Sequence, residues 1–386
     1  MTLIVDDQSA QPGTHVVLIG IGDYPFLKDG SAPPAQTFDL HMEMGQLSSP
    51  PRSLGELATW FSDTQNGFNN PDRPLRSLEL LCSASQDPFE WTDPAGAKHA
   101  IGRATAANVS QAVLDWKARA SRSADNLAVF YFCGHGLSFG ESQNSLLLED
   151  WGGDTNDPAN RAISFNDMRL GLMNQCDARQ QCYFIDACRT PPTKAYIDKY
   201  GAALGARIVG GGLNRQIRDI VAPAFFATRL MAKAYGFTDQ SSLFTQGMLR
   251  CFRGVASRDA ASGWEVTVEA MAEGINKSVE SLAFATQPQY CQPLETGQSF
   301  MLHRVRDDPE VIVKVFTRDL NLLPSTIFVH LCESTNETVE RPPGELPWWL
   351  PVTMGKHTFK ALAAANRQEL GSRSKTVSPP SSEIGL

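Results

Sequence analysis

The chain has 386 residues, 42% of them hydrophobic and 20% charged, which is enough to bury a sizeable core and too few charges for a solvated, disordered chain. Its formal net charge of −8 and isoelectric point near 5.4 exclude a sequence-independent nucleic-acid binder, which needs a cationic face to meet phosphates. No run of about 18 apolar residues occurs, so no membrane helix is expected, and the opening MTLIVDDQSAQPG carries two aspartates where a signal peptide would be apolar.

The first strand signal is His15–Gly22 (HVVLIGIG), a β-branched run that reads as a buried strand of a parallel sheet. A Pro/Ser/Gly-rich loop from Lys28 to Arg52 is expected next, and Ser53-Leu54-Gly55-Glu56 reads as a capping box opening a helix. Leu78–Cys82 is a second strand candidate. Val109, Val113 and Trp116 recur at helical spacing between Thr105 and Ala120, as in a crossover helix. Strands follow at Leu127–Phe132 (LAVFYF), Ser145–Leu148, Gln181–Ile185 (QCYFI) and Pro223–Thr228 (PAFFAT), with Ser164 and Asp167 capping a helix between the second and third of these. Arg189–Ala222, with Pro191, Pro192 and the Gly210–Gly212 triplet, reads as a mobile loop. Helices are expected at about Leu243–Phe252 and Glu265–Ala283.

This alternation predicts an α/β sandwich with a mostly parallel sheet. After Met301 the pattern changes to period two, at Glu310–Thr317, Ile327–Glu333 and His357–Leu362, which predicts a small β-rich domain. The expected organisation is an N-terminal tail over 1–13, a first domain over 14–304, a β-rich accessory domain over 305–370 and a disordered tail over 371–386.

Two strand ends carry the chemistry. In Phe132-Cys133-Gly134-His135-Gly136 a histidine flanked by glycines follows an apolar strand, and in Ile185-Asp186-Ala187-Cys188-Arg189 a cysteine does. Sites in open α/β sheets form at strand C-terminal ends, so one sheet can set the imidazole beside the thiol. A thiolate attacks a carbonyl, an imidazole takes its proton and returns it to the leaving amine, and the amides of Gly136 and Cys188 are placed to hold the oxyanion.

The GHG motif, followed by DACR with Cys188 53 positions after His135, resembles the caspase-like cysteine peptidases: caspases, paracaspases, metacaspases and their bacterial relatives. LIGIGDY near the start and AFFATR with SLFTQGML later extend the resemblance over roughly residues 14–300. It implies a caspase-like α/β/α sandwich, a His135/Cys188 dyad and cleavage of a protein substrate. Where animal caspases place glutamine two residues before the cysteine, this chain has Asp186, as metacaspases and paracaspases do. A carboxylate there favours Lys or Arg before the cut, since a buried charge demands an opposite partner. Asp23 matches the position of a second pocket acid in relatives. Bacterial relatives serve as effectors or activators in antiphage and cell-death systems, so a dedicated protein substrate is expected, and a regulatory partner is expected to dock through the C-terminal domain.

No cofactor is expected. Cys176, Cys182 and Cys188 recur every six residues, which fits no zinc spacing, and Asp150, Asp154 and Asp157 lack the EF-hand pattern. The thiols are read as reduced and the location as cytoplasmic. Arg189, Lys194, Lys199, Arg207, Arg215 and Arg218 against Asp198 alone suggest a basic loop that the enzyme itself cuts or that fills its pocket. Trp348 and Trp349 read as packing of the small domain or as a partner surface. The competing reading of the whole chain is a catalytically silent scaffold that recruits a partner protein.

Overall fold

In the computed structural model, which describes residues 2–33, 36–202, 205–210, 219–234, 239–282, 289–295 and 298–386, the chain divides into two units. Unit 1 comprises residues 1–246 and 289–300, and unit 2 comprises 247–288 and 301–386.

Unit 1 begins with β1 (Thr2–Asp6) and β2 (Thr14–Ile21), followed by α1 (Ser49–Ser62). The helix therefore starts four residues before the expected cap at Ser53. Pro50 and Pro51 sit in its first turn, where no intrahelical N–H is required, and the Ser53 hydroxyl instead accepts the Ser242 amide at 3.0 Å. β3 (Leu75–Ser83) is followed by the hairpin β4 (Phe89–Thr92) and β5 (Lys98–Ile101), whose short polar strands gave no periodic signal. α2 (Ala106–Ala120) is capped by the Thr105 hydroxyl, which accepts the Asn108 amide. Then come β6 (Leu127–Gly134), β7 (Gly136–Gly140), β8 (Gln143–Leu147), β9 (Ala162–Ser164), α3 (Phe165–Gln175) and β10 (Gln180–Ala187). The segment read as a mobile loop holds a helix, α4 (Lys194–Tyr200), because Tyr196 is buried in the core. Arg215, Arg218 and most of the glycine triplet lie outside the described residues. β11 (Ala224–Phe226) and α5 (Leu243–Arg250) follow. The chain continues into unit 2 with β12 (Ser257–Ala260), β13 (Gly263–Thr267) and α6 (Val268–Leu282), and returns to unit 1 as β14 (Gln292–Leu294).

The main sheet has the order β1-β3-β2-β6-β10-β11-β14, parallel throughout its centre and antiparallel at both edge pairs. The β2 and β6 strands are buried along their whole length, as a sheet covered on both faces requires. Val17, Ile19, Phe130, Phe132, Tyr183 and Ile185 point into a core shared with Val113 and Trp116 of α2 and with Met168 and Leu172 of α3. The alternate residues face the opposite layer, where Gly20 leaves room for Leu54 of α1: a Cβ there would lie 3.0 Å from its side chain. The expected α/β/α sandwich is present.

Unit 2 adds β15 (Met301–Arg304), β16 (Glu310–Phe316), β17 (Thr326–Cys332), β18 (Thr338–Arg341), β19 (Trp348–Thr353), β20 (Gly355–Ala363), β21 (Glu369–Val377) and β22 (Ser381–Gly385). Sheets β19-β16-β22 and β18-β17-β20-β21 enclose a core of Val311, Val313, Val315, Phe328, Phe359, Val377 and Ile384. Three boundaries differ from the sequence expectation. Residues 371–386 are ordered strands, because Val377 and Ile384 are core residues and β22 pairs in parallel with β16. Residues 2–6 form an edge strand on β3. The first residues of unit 2 lie before 304, because β13 pairs with β15. Trp348 packs on the unit 2 core, and Lys314 lies 5.0 Å over the ring of Trp349. Among the described residues no helix is long and apolar enough to cross a membrane.

Candidate active site

β6 and β10 are parallel neighbours in continuous register, from Leu127 opposite Gln180 to Gly134 opposite Ala187. The next residue of β6 is His135, and Cys188 is the first residue after β10. Strands about 4.8 Å apart therefore release the imidazole and the thiol from adjacent positions at one edge of the sheet. The glycines around His135 are steric necessities. A Cβ on Gly134 would lie 2.6 Å from the Tyr24 hydroxyl, and one on Gly136 would lie 2.7 Å from the Cys188 carbonyl oxygen.

His135 Nε2 lies 2.7 Å from the Gly45 carbonyl oxygen. A carbonyl only accepts, so Nε2 carries the proton and Nδ1 holds the lone pair. Burial pushes the imidazole down to about 4, against the opposing bond to Gly45, so the ring is a neutral base at pH 7. Cys188 is mostly buried, and that burial raises its thiol above the ordinary range. The Ala234 amide donates to Sγ at 3.3 Å and acts in the opposite direction. The pair therefore rests as thiol and neutral imidazole, with proton transfer left to the moment of attack.

The Leu147 amide donates to the His135 carbonyl, and Gly136 is opposite Leu146 in the antiparallel β7–β8 pair. Gly136 is thus a non-hydrogen-bonded position of this ladder, and its N–H points away from β8. Two residues on, the Ser138 N–H points the same way and donates to Thr190, which follows Cys188. Arg189 pins this edge: it donates from Nε to Asn144, from Nη1 to Gln292 and from Nη2 to the Glu141 carbonyl, and lies 4.5 Å over the Phe226 ring. The residue expected in a flexible basic loop is 3% exposed and serves as a clamp.

Asp186 faces the other layer. Its Oδ2 accepts from Thr245 at 3.1 Å, Tyr131 at 3.4 Å and the Cys133 thiol at 3.5 Å, and also from Ser242. Burial raises its carboxyl above the usual range despite these four donors. Asp23 is elsewhere: its Oδ2 is ion-paired with Arg103 at 2.6 Å, and Arg103 also binds Glu149 and Asp87. Its charge is answered within the chain, so the structure does not present it as a second, unpaired pocket acid. Among the described residues no group of three or more His, Cys, Asp or Glu is arranged to hold a metal ion, and Asp150 pairs with Arg161.

Sequence reasoning did not single out Tyr24, Gly45, Ser242 or Thr245. Tyr24 ends the quoted LIGIGDY and Ser242 opens SLFTQGML, so the segments were marked but not the roles. Gly45 acts through a backbone carbonyl, for which side-chain type gives no signal.

The family described as "Caspase domain" matches residues 67–297, a span that includes His135, Gly136, Asp186 and Cys188. An uncharacterized protein, y4kE, of Sinorhizobium fredii (strain NBRC 101917 / NGR234) is 28% identical over 222 residues, which is 57% of this chain and 62% of that protein. Among solved structures, that of caspase-1 from Spodoptera frugiperda aligns with a TM-score of 0.43 at 9% identity, covering 78% of this chain and 97% of that one.

Proposed function

The chain belongs to the caspase-domain family, and from that premise we propose that it is a cysteine endopeptidase that cuts protein substrates after Lys or Arg. The observation that carries this reading is the register of β6 on β10, which releases His135 and Cys188 side by side. In the proposed reaction the Cys188 thiol proton passes to His135 Nδ1 as Sγ bonds the scissile carbonyl carbon. The oxyanion is held by the amides of Gly136 and Cys188. Collapse breaks the C–N bond as His135 returns the proton to the leaving amine, and water then releases the acyl group by the same route. Asp186 is the acid assigned to the primary pocket, since a substrate cation would answer its buried charge. Asp23 is not assigned there, because Arg103 already does so for it. Following the family resemblance, the protein acts on a dedicated partner protein in a bacterial defence or cell-death system.

Fluorogenic peptides with Arg, Lys, Asp or Leu before the cut test this. Turnover of the Arg and Lys peptides that is lost in Cys188→Ala is expected. Turnover of the Asp peptide alone would overturn the role of Asp186. A second reading, a silent scaffold, is favoured by the Ala234 amide resting on a mostly buried thiol. Silence with every peptide, together with no faster alkylation of Cys188 than of the other seven cysteines, would establish it.

A further inference from the structure

We propose that Tyr24 is the positioning residue of the base: its hydroxyl is built into the strand ladder at His135, and its ring covers the imidazole. The position His135/Leu147 is a narrow pair of the ladder that the backbone closes on one side only, through the Leu147 N–H and the His135 carbonyl. On the other side the Tyr24 hydroxyl is inserted. It accepts the His135 N–H at 2.8 Å and donates to the Leu147 carbonyl at 3.3 Å, so both backbone groups keep a partner although the strands have parted. This opening is where β6 ends and β7 begins, and it turns His135 off the sheet. Gly134 is required for the same reason, since a side chain there would strike this hydroxyl.

The ring centroids of Tyr24 and His135 are 4.8 Å apart, and Tyr24 is fully buried. Tyr24 is itself fixed by Gln46, whose Oε1 accepts the Tyr24 N–H at 2.8 Å and whose Nε2 donates to the Tyr24 carbonyl at 3.1 Å. Gln46 adjoins Gly45, the residue whose carbonyl holds Nε2. One circuit, Tyr24–Gln46–Gly45, thus grips the base by its backbone, its face and its outer nitrogen. The titratable groups that act on Tyr24 are Cys133, Cys188 and Glu149, and Lys233 in turn acts on Cys188. Burial is the chief cause of the depressed value of the imidazole, and the proposal assigns the Tyr24 ring, with its centroid 4.8 Å away, a main share of that burial.

The proposal rests on the peptidase reading for its catalytic meaning, but its test does not need turnover. The His135 ring is followed by NMR across pH in the full chain, and Cys188 alkylation by iodoacetamide is timed at pH 7. Tyr24→Leu removes the cover, and the His135 midpoint is expected to rise by at least one pH unit from about 4 toward 6.5. Tyr24→Phe keeps the ring, so the midpoint stays while alkylation slows several-fold because the backbone grip is lost. A Tyr24→Leu midpoint equal to wild type would overturn the covering role. Tyr24→Phe alkylation equal to wild type would overturn the grip, and this variant serves alone if Tyr24→Leu does not fold. If these shifts occur in a protein that cuts no peptide, the positioning stands and the peptidase reading fails.

Discussion

Burial holds three histidines near 4, His15 and His135 in unit 1 and His330 in unit 2, and of these only His135 stands at a strand end beside a thiol. In unit 2, His357 Nε2 donates to the Thr353 carbonyl at 2.8 Å, so its Nδ1 accepts from His330 Nε2 at 2.9 Å. The chain of donors ends at His330 Nδ1, which is buried and has no partner among the described residues. His135 is fixed by one carbonyl in the same manner, but its second nitrogen belongs to a residue that leaves the sheet beside a thiol. Burial alone makes a histidine neutral. A base also needs a proton to take and a strand end that brings the donor to it.

That contrast breaks most sharply at the thiol. Cys188→Ala should abolish peptide cleavage, and His135→Asn should lower kcat/KM by about 10²–10⁴-fold, the range of a positioned general base. Both are measured on the best basic peptide, and retention of activity in either would reduce His135 to the same standing as His330. Gly136→Ala comes next. Its new Cβ would meet the Cys188 carbonyl oxygen at 2.7 Å and the Ala187 side chain at 3.0 Å, forcing the strand ends apart. A displacement near 1 Å costs about 10²-fold, so kcat should fall by that order while the melting temperature changes little. Unchanged kcat would mean that the close approach of β7 to Cys188 is packing only.

Asp186 sharpens the comparison in another way, because a buried carboxylate can also be structural. Asp186→Asn keeps the shape and leaves Ser242, Thr245 and Tyr131 an oxygen to donate to. The preference for Arg over Leu peptides should fall at least tenfold, since the pocket loses its charge. A lowered melting temperature with an unchanged preference would make Asp186 a tie between β10 and the start of α5 and nothing more.

The parallel sheet was legible because its strands are buried on both faces and read as unbroken apolar runs, and because the glycines at 134 and 136 mark a backbone crossing. The adjacency of His135 and Cys188 was legible for the same reason: residue type and strand end coincide at both. The ion pair of Asp23 was not legible, because position along the chain does not reveal a partner and Arg103 lies 80 residues away. The tail misled because Ser, Pro and Lys dominate residues 371–386 by number, while Val377 and Ile384 decide its fate by burial. The contacts that fix the base pass through the Gly45 carbonyl and the His135 amide, which every residue type shares.

The smallest expected effect concerns the non-reacting histidine. His330 is 6% exposed, and burial together with the facing His357 holds it at about 4 instead of 6.5. Its value is depressed in the folded chain, so the stability it supports is fully present above pH 6.5 and is lost as pH falls from 6.5 toward 4. The loss per such group is of order 3 kcal/mol at most. His15 and His135 in unit 1 are depressed to the same level and add their own share, so a global melt cannot separate them. Hydrogen exchange of the β17 and β20 amides can. In wild type their protection should fall between pH 6.5 and 4, beyond the intrinsic change in exchange rate. His330→Phe keeps a ring against Phe359 but leaves His357 Nδ1 without its donor, at a cost of about 1 kcal/mol at pH 7. In return the variant should show a flatter acid profile in these two strands, with peptide cleavage unchanged. An equally steep profile in the variant would show that protonation of His330 does not open the unit 2 sandwich, and that its burial, unlike that of His135, carries no acid sensitivity.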